Sequence, residues 1–61
     1  MLAEQMAYLR SYFTFLPYDD RVEAKALLDK WHTLKRLDQL QQLRVAKLIE
    51  KIEWVRARRA K

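Results

Sequence analysis

Glycine is absent from this chain, and proline occurs once, at Pro17. A chain bends sharply where glycine relieves the Cβ clash or proline fixes φ, so this one has few places to turn. Long helices are the expectation. Strands are not, because no alternating apolar and polar run is bounded by turn residues. The predicted class is all-α, a single helical domain over residues 1–61.

The longest helical pattern lies in LDQLQQLRVAKLIEKIEWVRARRAK, from Leu37 to Lys61. Val45, Leu48, Ile49, Ile52 and Val55 share one face at about 100° per residue. That face requires burial. On roughly the opposite side stand Leu40, Leu43 and Trp54, among Arg44, Lys47, Lys51 and Arg58. A helix back that only meets water rarely carries a tryptophan and two leucines. The spacing therefore predicts one core face and a second, mixed basic-apolar face available to a partner.

The start of this helix is written locally. Asp38 can accept from a first-turn amide, and Gln41 can reach back to the Asp38 N–H, which is the capping-box spacing. One continuous helix from Asp20 to Lys61 would instead put Asp38, Gln41 and Gln42 on the buried stripe. A break at Leu37–Asp38 removes that conflict and predicts a helix over 39–59, about 30 Å long.

Upstream, Leu2, Met6, Leu9, Phe13 and Leu16 form a stripe flanked by Ala3 and Ala7. Tyr8, Tyr12 and Phe15 form a second stripe beside it. An apolar arc this wide predicts a helix over 2–15 that is buried on more than one side. The expectation is core plus dimer contact, not a membrane-surface helix, which would carry lysine and arginine on its polar face. Pro17 then breaks the chain. Asp20, with Glu23 three residues on, is the expected cap of a helix over 20–36. Its core face is Ala24, Leu27, Leu28, Trp31 and Leu34. The short connection predicts an antiparallel hairpin of the first two helices, with the long third helix packed on it.

A chain of this size buries only about 60% of its unfolded surface, so one core alone is marginal. There is no cysteine to staple it, and the single histidine, His32, cannot build a zinc site by itself. Oligomerisation is the remaining common stabiliser, and a homodimer is expected. No apolar run approaches about 20 residues, so nothing is expected to span a membrane. Met1–Leu16 lacks a basic leader and a small-residue cleavage site, which makes a cytoplasmic protein the default. Heavy use of Ala, Leu, Arg and Gln in a short chain starting at Met suggests a small bacterial or phage reading frame.

The formal charge of +5 is unevenly placed. Residues 1–43 hold six basic and six acidic side chains, which cancel. Residues 44–61 hold seven basic (Arg44, Lys47, Lys51, Arg56, Arg58, Arg59, Lys61) against Glu50 and Glu53. An anionic partner for the last helix is one reading; favourable cations at the negative end of the helix dipole are the other.

Catalytic constellations are not expected. His32 falls on the polar side of the second helix, with only Asp29 and Arg36 at helical spacing, so solvation is the expected state. Asp19 and Asp20 read as cap and dipole partners rather than a metal pair. Ser11 has no basic neighbour to activate it. Without glycine there is no phosphate-cradling loop. No cofactor, metal or small-molecule substrate is expected.

The ending KIEWVRARRAK is similar over about ten residues to the homeodomain recognition helix, which also ends near RRAK after a Trp in a three-helix domain. Three residues after Trp54 that family carries a base-reading Asn. Here the residue is Ala57, so the likeness implies no base reading and is not adopted.

Two functional expectations follow. The first is a non-catalytic regulatory or adaptor protein that binds another protein through Leu40, Leu43 and Trp54, with Tyr8 and Tyr12 on the first helix. The second is a nucleic-acid binder using Arg44, Lys47, Lys51, Arg56, Arg58 and Arg59. The protein partner is preferred, because apolar residues interrupt the basic stripe where a phosphate-facing surface is usually polar throughout.

Overall fold

A computed structural model of the chain describes residues 1–59. Lys61, counted above among the basic residues, lies outside the described residues. The fold is all-α, with α1 at Leu2–Tyr12, a 3-10 turn at Phe13–Phe15, α2 at Tyr18–Leu34 and α3 at Gln39–Arg59. The described residues contain no strand.

The first helix stops being α-helical at Tyr12 instead of continuing to residue 15. Pro17 disfavours the α-conformation at Leu16, which is extended at φ −84°, ψ 154°, and the chain tightens into the 3-10 turn before it. The second helix begins at Tyr18, two residues before the expected cap. Pro17, at φ −58°, accepts the first helical bond from the Arg21 N–H at 2.9 Å. Asp20 is therefore inside the helix and does not cap it. It remains in the first turn with Asp19, where carboxylates favour the helix dipole.

At its other end α2 stops at Leu34 rather than Arg36. Lys35 takes the left-handed conformation, φ 55°, and its N–H donates to the Trp31 carbonyl at 2.8 Å. That is the usual way to close a helix, performed here by a lysine because no glycine is present. The break at Leu37–Asp38 is realised. Gln41 N–H donates to Asp38 Oδ1 at 2.8 Å, and Asp38 N–H donates to Gln41 Oε1 at 3.0 Å. This reciprocal pair is the capping box that the spacing predicted.

The core is Met6, Leu9, Leu16, Ala24, Leu27, Leu37, Val45, Leu48 and Ile52. Of the inner stripe of α3, Val45, Leu48 and Ile52 are at 0% exposure, while Ile49 and Val55 at its two edges are only partly buried. Leu34 is a correction: it was expected on the core face of α2 and is 53% exposed. It is the last residue of α2, with the left-handed Lys35 immediately after it. Trp31 is only partly buried, against the edge of the core. Leu37 was read only as the break between helices, yet it is a core residue that plugs the α2–α3 corner.

Candidate partner-binding surfaces

Burying Val45, Leu48 and Ile52 fixes the rotation of α3, and that rotation turns its opposite side to water. Leu40 is 75% exposed, Leu43 58% and Trp54 62%. The Arg58 guanidinium lies over the Trp54 ring, 4.6 Å from its centroid. Beside Trp54 opens an apolar cleft of about 230 Å³, lined by Pro17, Lys51, Trp54 and Val55. Its floor comes from the α1–α2 connection and its wall from α3.

The basic residues of α3 do not form one surface. Arg44 and Lys51 lean toward α2, which runs antiparallel to α3. Arg44 forks onto Glu23, and Lys51 Nζ lies 2.8 Å from Asp20 Oδ2. Lys30 Nζ extends the same row by donating to Gln41 Oε1 at 2.8 Å. The Arg44 fork holds the Glu23 carboxyl below its ordinary range, chiefly through the hydrogen bond, and pushes the Arg44 guanidinium up.

Arg56 turns the other way, toward α1, and Arg59 toward the 3-10 turn that follows it. Arg56 sits 4.1 Å from the Tyr12 ring centroid, and its Nη1 donates to Tyr8 Oη at 3.0 Å. That hydrogen bond is the main reason its guanidinium is pushed up. Arg59 lies 5.0 Å from the Phe15 centroid. The Tyr8 and Tyr12 rings are tilted against each other with centroids 4.9 Å apart, and Tyr12 meets Phe15 edge to face at 5.9 Å. These aromatics are partly buried against the core. Their two arginines cover them and fasten the end of α3 to α1.

The predicted site residues therefore separate. Leu40, Leu43, Lys47, Trp54 and Arg58 share the outer face of α3. Tyr8 and Tyr12 lie with Arg56 on the α1 side and do not join it. Arg44 and Lys51 are engaged by α2 carboxylates. Two more residues, Glu50 and Ala57, contribute to the outer face, a place that the sequence reading did not give them. Both are exposed and fall on the same row. The signal for them was the spacing from Leu43 and Trp54.

A smaller cleft, about 170 Å³, lies between α1 and α2 and includes Ala3, Ala7, Trp31 and His32 in its lining. His32 stands at its rim and is exposed, as expected. Among the described residues no group of His, Asp and Glu side chains is placed to hold a metal ion. No described helix is long and apolar enough to cross a membrane. Comparison with protein-family models, with curated proteins and with solved structures gives no match.

Proposed function

We propose that this protein is a small non-catalytic adaptor or regulator that docks onto another protein through the outer face of α3. The observation that carries the reading is the exposure of Leu40, Leu43 and Trp54 together, on the side of α3 opposite its buried stripe. Isolated apolar residues on a surface are ordinary, but a row of large ones backed by a cleft is the feature that marks interfaces. Tryptophan and arginine, which stand together here as Trp54 and Arg58, are also among the residue types most enriched at interface hot spots.

The nucleic-acid reading loses ground on charge. Arg44 and Lys51 carry α2 carboxylates, while Arg56 faces α1 and Arg59 the 3-10 turn. Lys47 and Arg58 are left on the outer face, with Glu50 between them in sequence. A surface that neutralises phosphates needs more cations on one side than this.

The test is a photo-crosslinking residue placed at Leu43 in cells expressing the chain. Protein adducts that disappear with Trp54→Ala are expected. Adducts to nucleic acid alone, or none, overturn the reading.

A further inference from the structure

The outward positions of α3 form a repeating row. Leu40, Leu43, Lys47, Glu50, Trp54 and Ala57 follow one another at intervals of 3, 4, 3, 4 and 3, and all six are exposed. An average spacing of 3.5 residues is the seam of a two-helix coiled coil, with alternate residues in the two core positions of the heptad. The structure leaves this seam without a partner helix, because α1 and α2 both pack on the opposite side of α3.

The row is also its own complement. Turned end for end about the midpoint between Leu48 and Ile49, Leu43 falls opposite Trp54, Lys47 opposite Glu50, and Leu40 opposite Ala57. Large meets aromatic, cation meets anion, and leucine meets the small residue that has room for it. We propose that a second copy of this chain docks on this face, α3 against α3 and antiparallel, with the two-fold axis passing beside Leu48 and Ile49. The inference rests on the reading that the outer face of α3 docks protein, and it names the occupant.

The charges select the direction. In a parallel pair Lys47 would stack on Lys47 and Glu50 on Glu50, two like-charge layers at the centre of the contact. In the antiparallel pair the same residues form two ion pairs, one on each side of the axis. Among the described residues the ion pairs are Arg44–Glu23 and Lys51–Asp20, so Lys47 and Glu50 are not committed within the chain. Those two pairs have a role here as well. Arg44 and Lys51 flank the seam and would meet the other copy's Lys51 and Arg44. Their own α2 carboxylates offset the repulsion that these four cations, two from each copy, would otherwise bring to the contact. The 230 Å³ cleft beside Trp54 is the space that the partner's Leu43 enters. Such a contact is isologous and closes on itself, so it yields a dimer and not a filament.

The test is charge reversal, read by sedimentation equilibrium of the whole chain. The wild type is expected at twice its 7.5 kDa mass. Lys47→Glu and Glu50→Lys each replace both central ion pairs by like charges, and each should weaken the dimer by about tenfold or more. Both substitutions together recreate the pairs with the signs exchanged, and should restore association to within about threefold of wild type. All these positions are exposed, so helicity by circular dichroism should be unchanged throughout. A wild type that stays monomeric at about 100 µM overturns the dimer. So does a double variant as weak as the singles. A monomeric wild type that still gives protein adducts from Leu43 overturns the dimer alone. A dimer indifferent both to charge reversal and to Trp54→Ala forms through another face and overturns the α3 contact.

Discussion

Arg44 on α3 closes a fork on Glu23 of α2, with Nε 2.7 Å from Oε2 and the second nitrogen on Oε1. About two turns further along α3, Lys51 pairs in turn with Asp20. These contacts tie the two antiparallel helices along their shared edge. They also decide how the charge of α3 looks from outside. A stripe of four cations in the sequence becomes, in the fold, two cations and two neutral pairs.

The consequence for nucleic acid is quantitative. With Arg44, Lys47, Lys51 and Arg58 all free, duplex binding would fall with salt at a log–log slope near −3.6, about −0.9 for each phosphate neutralised. With Lys47 and Arg58 alone the slope should be no steeper than about −2, and binding weak even at low salt. Asp20→Asn combined with Glu23→Gln frees the other two. Fluorescence anisotropy with a labelled duplex should then show tighter binding and a slope nearer the larger figure. A wild-type slope already near it would mean that phosphates displace the carboxylates readily.

Glu23 makes a second prediction, in acid. Its folded-state pKa lies below the ordinary value of 4.5, first because of the Arg44 hydrogen bond. A group with a depressed folded pKa adds stability that is complete above the ordinary carboxylate range and is lost as pH falls through the folded value. Arg44 keeps its charge throughout. The melting temperature of the wild type should therefore drop between about pH 5 and pH 3, and Glu23→Gln should drop less over that window. Both partners are substantially solvated, so the difference is expected to be small. Equal acid slopes for the two proteins would show that the fork contributes nothing in solution.

The parts of this fold that were legible in the sequence are those set by local chemistry. The inner stripe of α3 and the Asp38–Gln41 box follow from periodicity and from two side chains three residues apart. The failures share a different cause. Asp20 and Glu23 have capping-box spacing as well, yet they serve α3, because Pro17 supplies the helix start first. Leu34 has core spacing but is the last residue of its helix and stays exposed. Leu37 has no periodic signal and is buried by the corner it sits in. The surfaces divide in the same way. That Leu40, Leu43 and Trp54 oppose the core follows from 100° per residue. That Arg56 turns to Tyr8 and Tyr12 while Arg44 turns to Glu23 depends on where α1 and α2 lie, and no spacing within α3 reports that.

Ile52 and Leu34 make a matched test of the core. Ile52 is fully buried and Leu34 is 53% exposed, although both have core periodicity in their helices. Ile52→Ala should cost roughly 2–5 kcal/mol, the range for emptying a packed site. A domain of this size holds only about 3–9 kcal/mol in total, so the variant should be largely unfolded or close to it. Leu34→Ala should cost no more than about 0.5 kcal/mol, as expected of a surface change. Urea denaturation followed by circular dichroism measures both. A similar large loss for Leu34→Ala would place that side chain in a contact which this fold does not give it.

Lys35 carries the final prediction, in the opposite direction. Among the described residues it is the non-glycine residue with positive φ, at 55°, and it closes α2 by donating to the Trp31 carbonyl. A side chain with a Cβ pays about 1–2 kcal/mol to hold the left-handed conformation, because the Cβ crowds its own carbonyl oxygen. Glycine does not. It does bring extra freedom to the unfolded chain, worth about 0.4–1 kcal/mol against folding. The relief should exceed the penalty, so Lys35→Gly is expected to stabilise the protein by roughly 0.5–1 kcal/mol. In a 61-residue domain that is a rise in melting temperature of about 2–8 °C. Lys35→Ala separates this cause from loss of the charge near the helix end. It keeps the Cβ and should give no gain. Equal stabilisation by both variants would assign the effect to the removed lysine charge and not to the backbone.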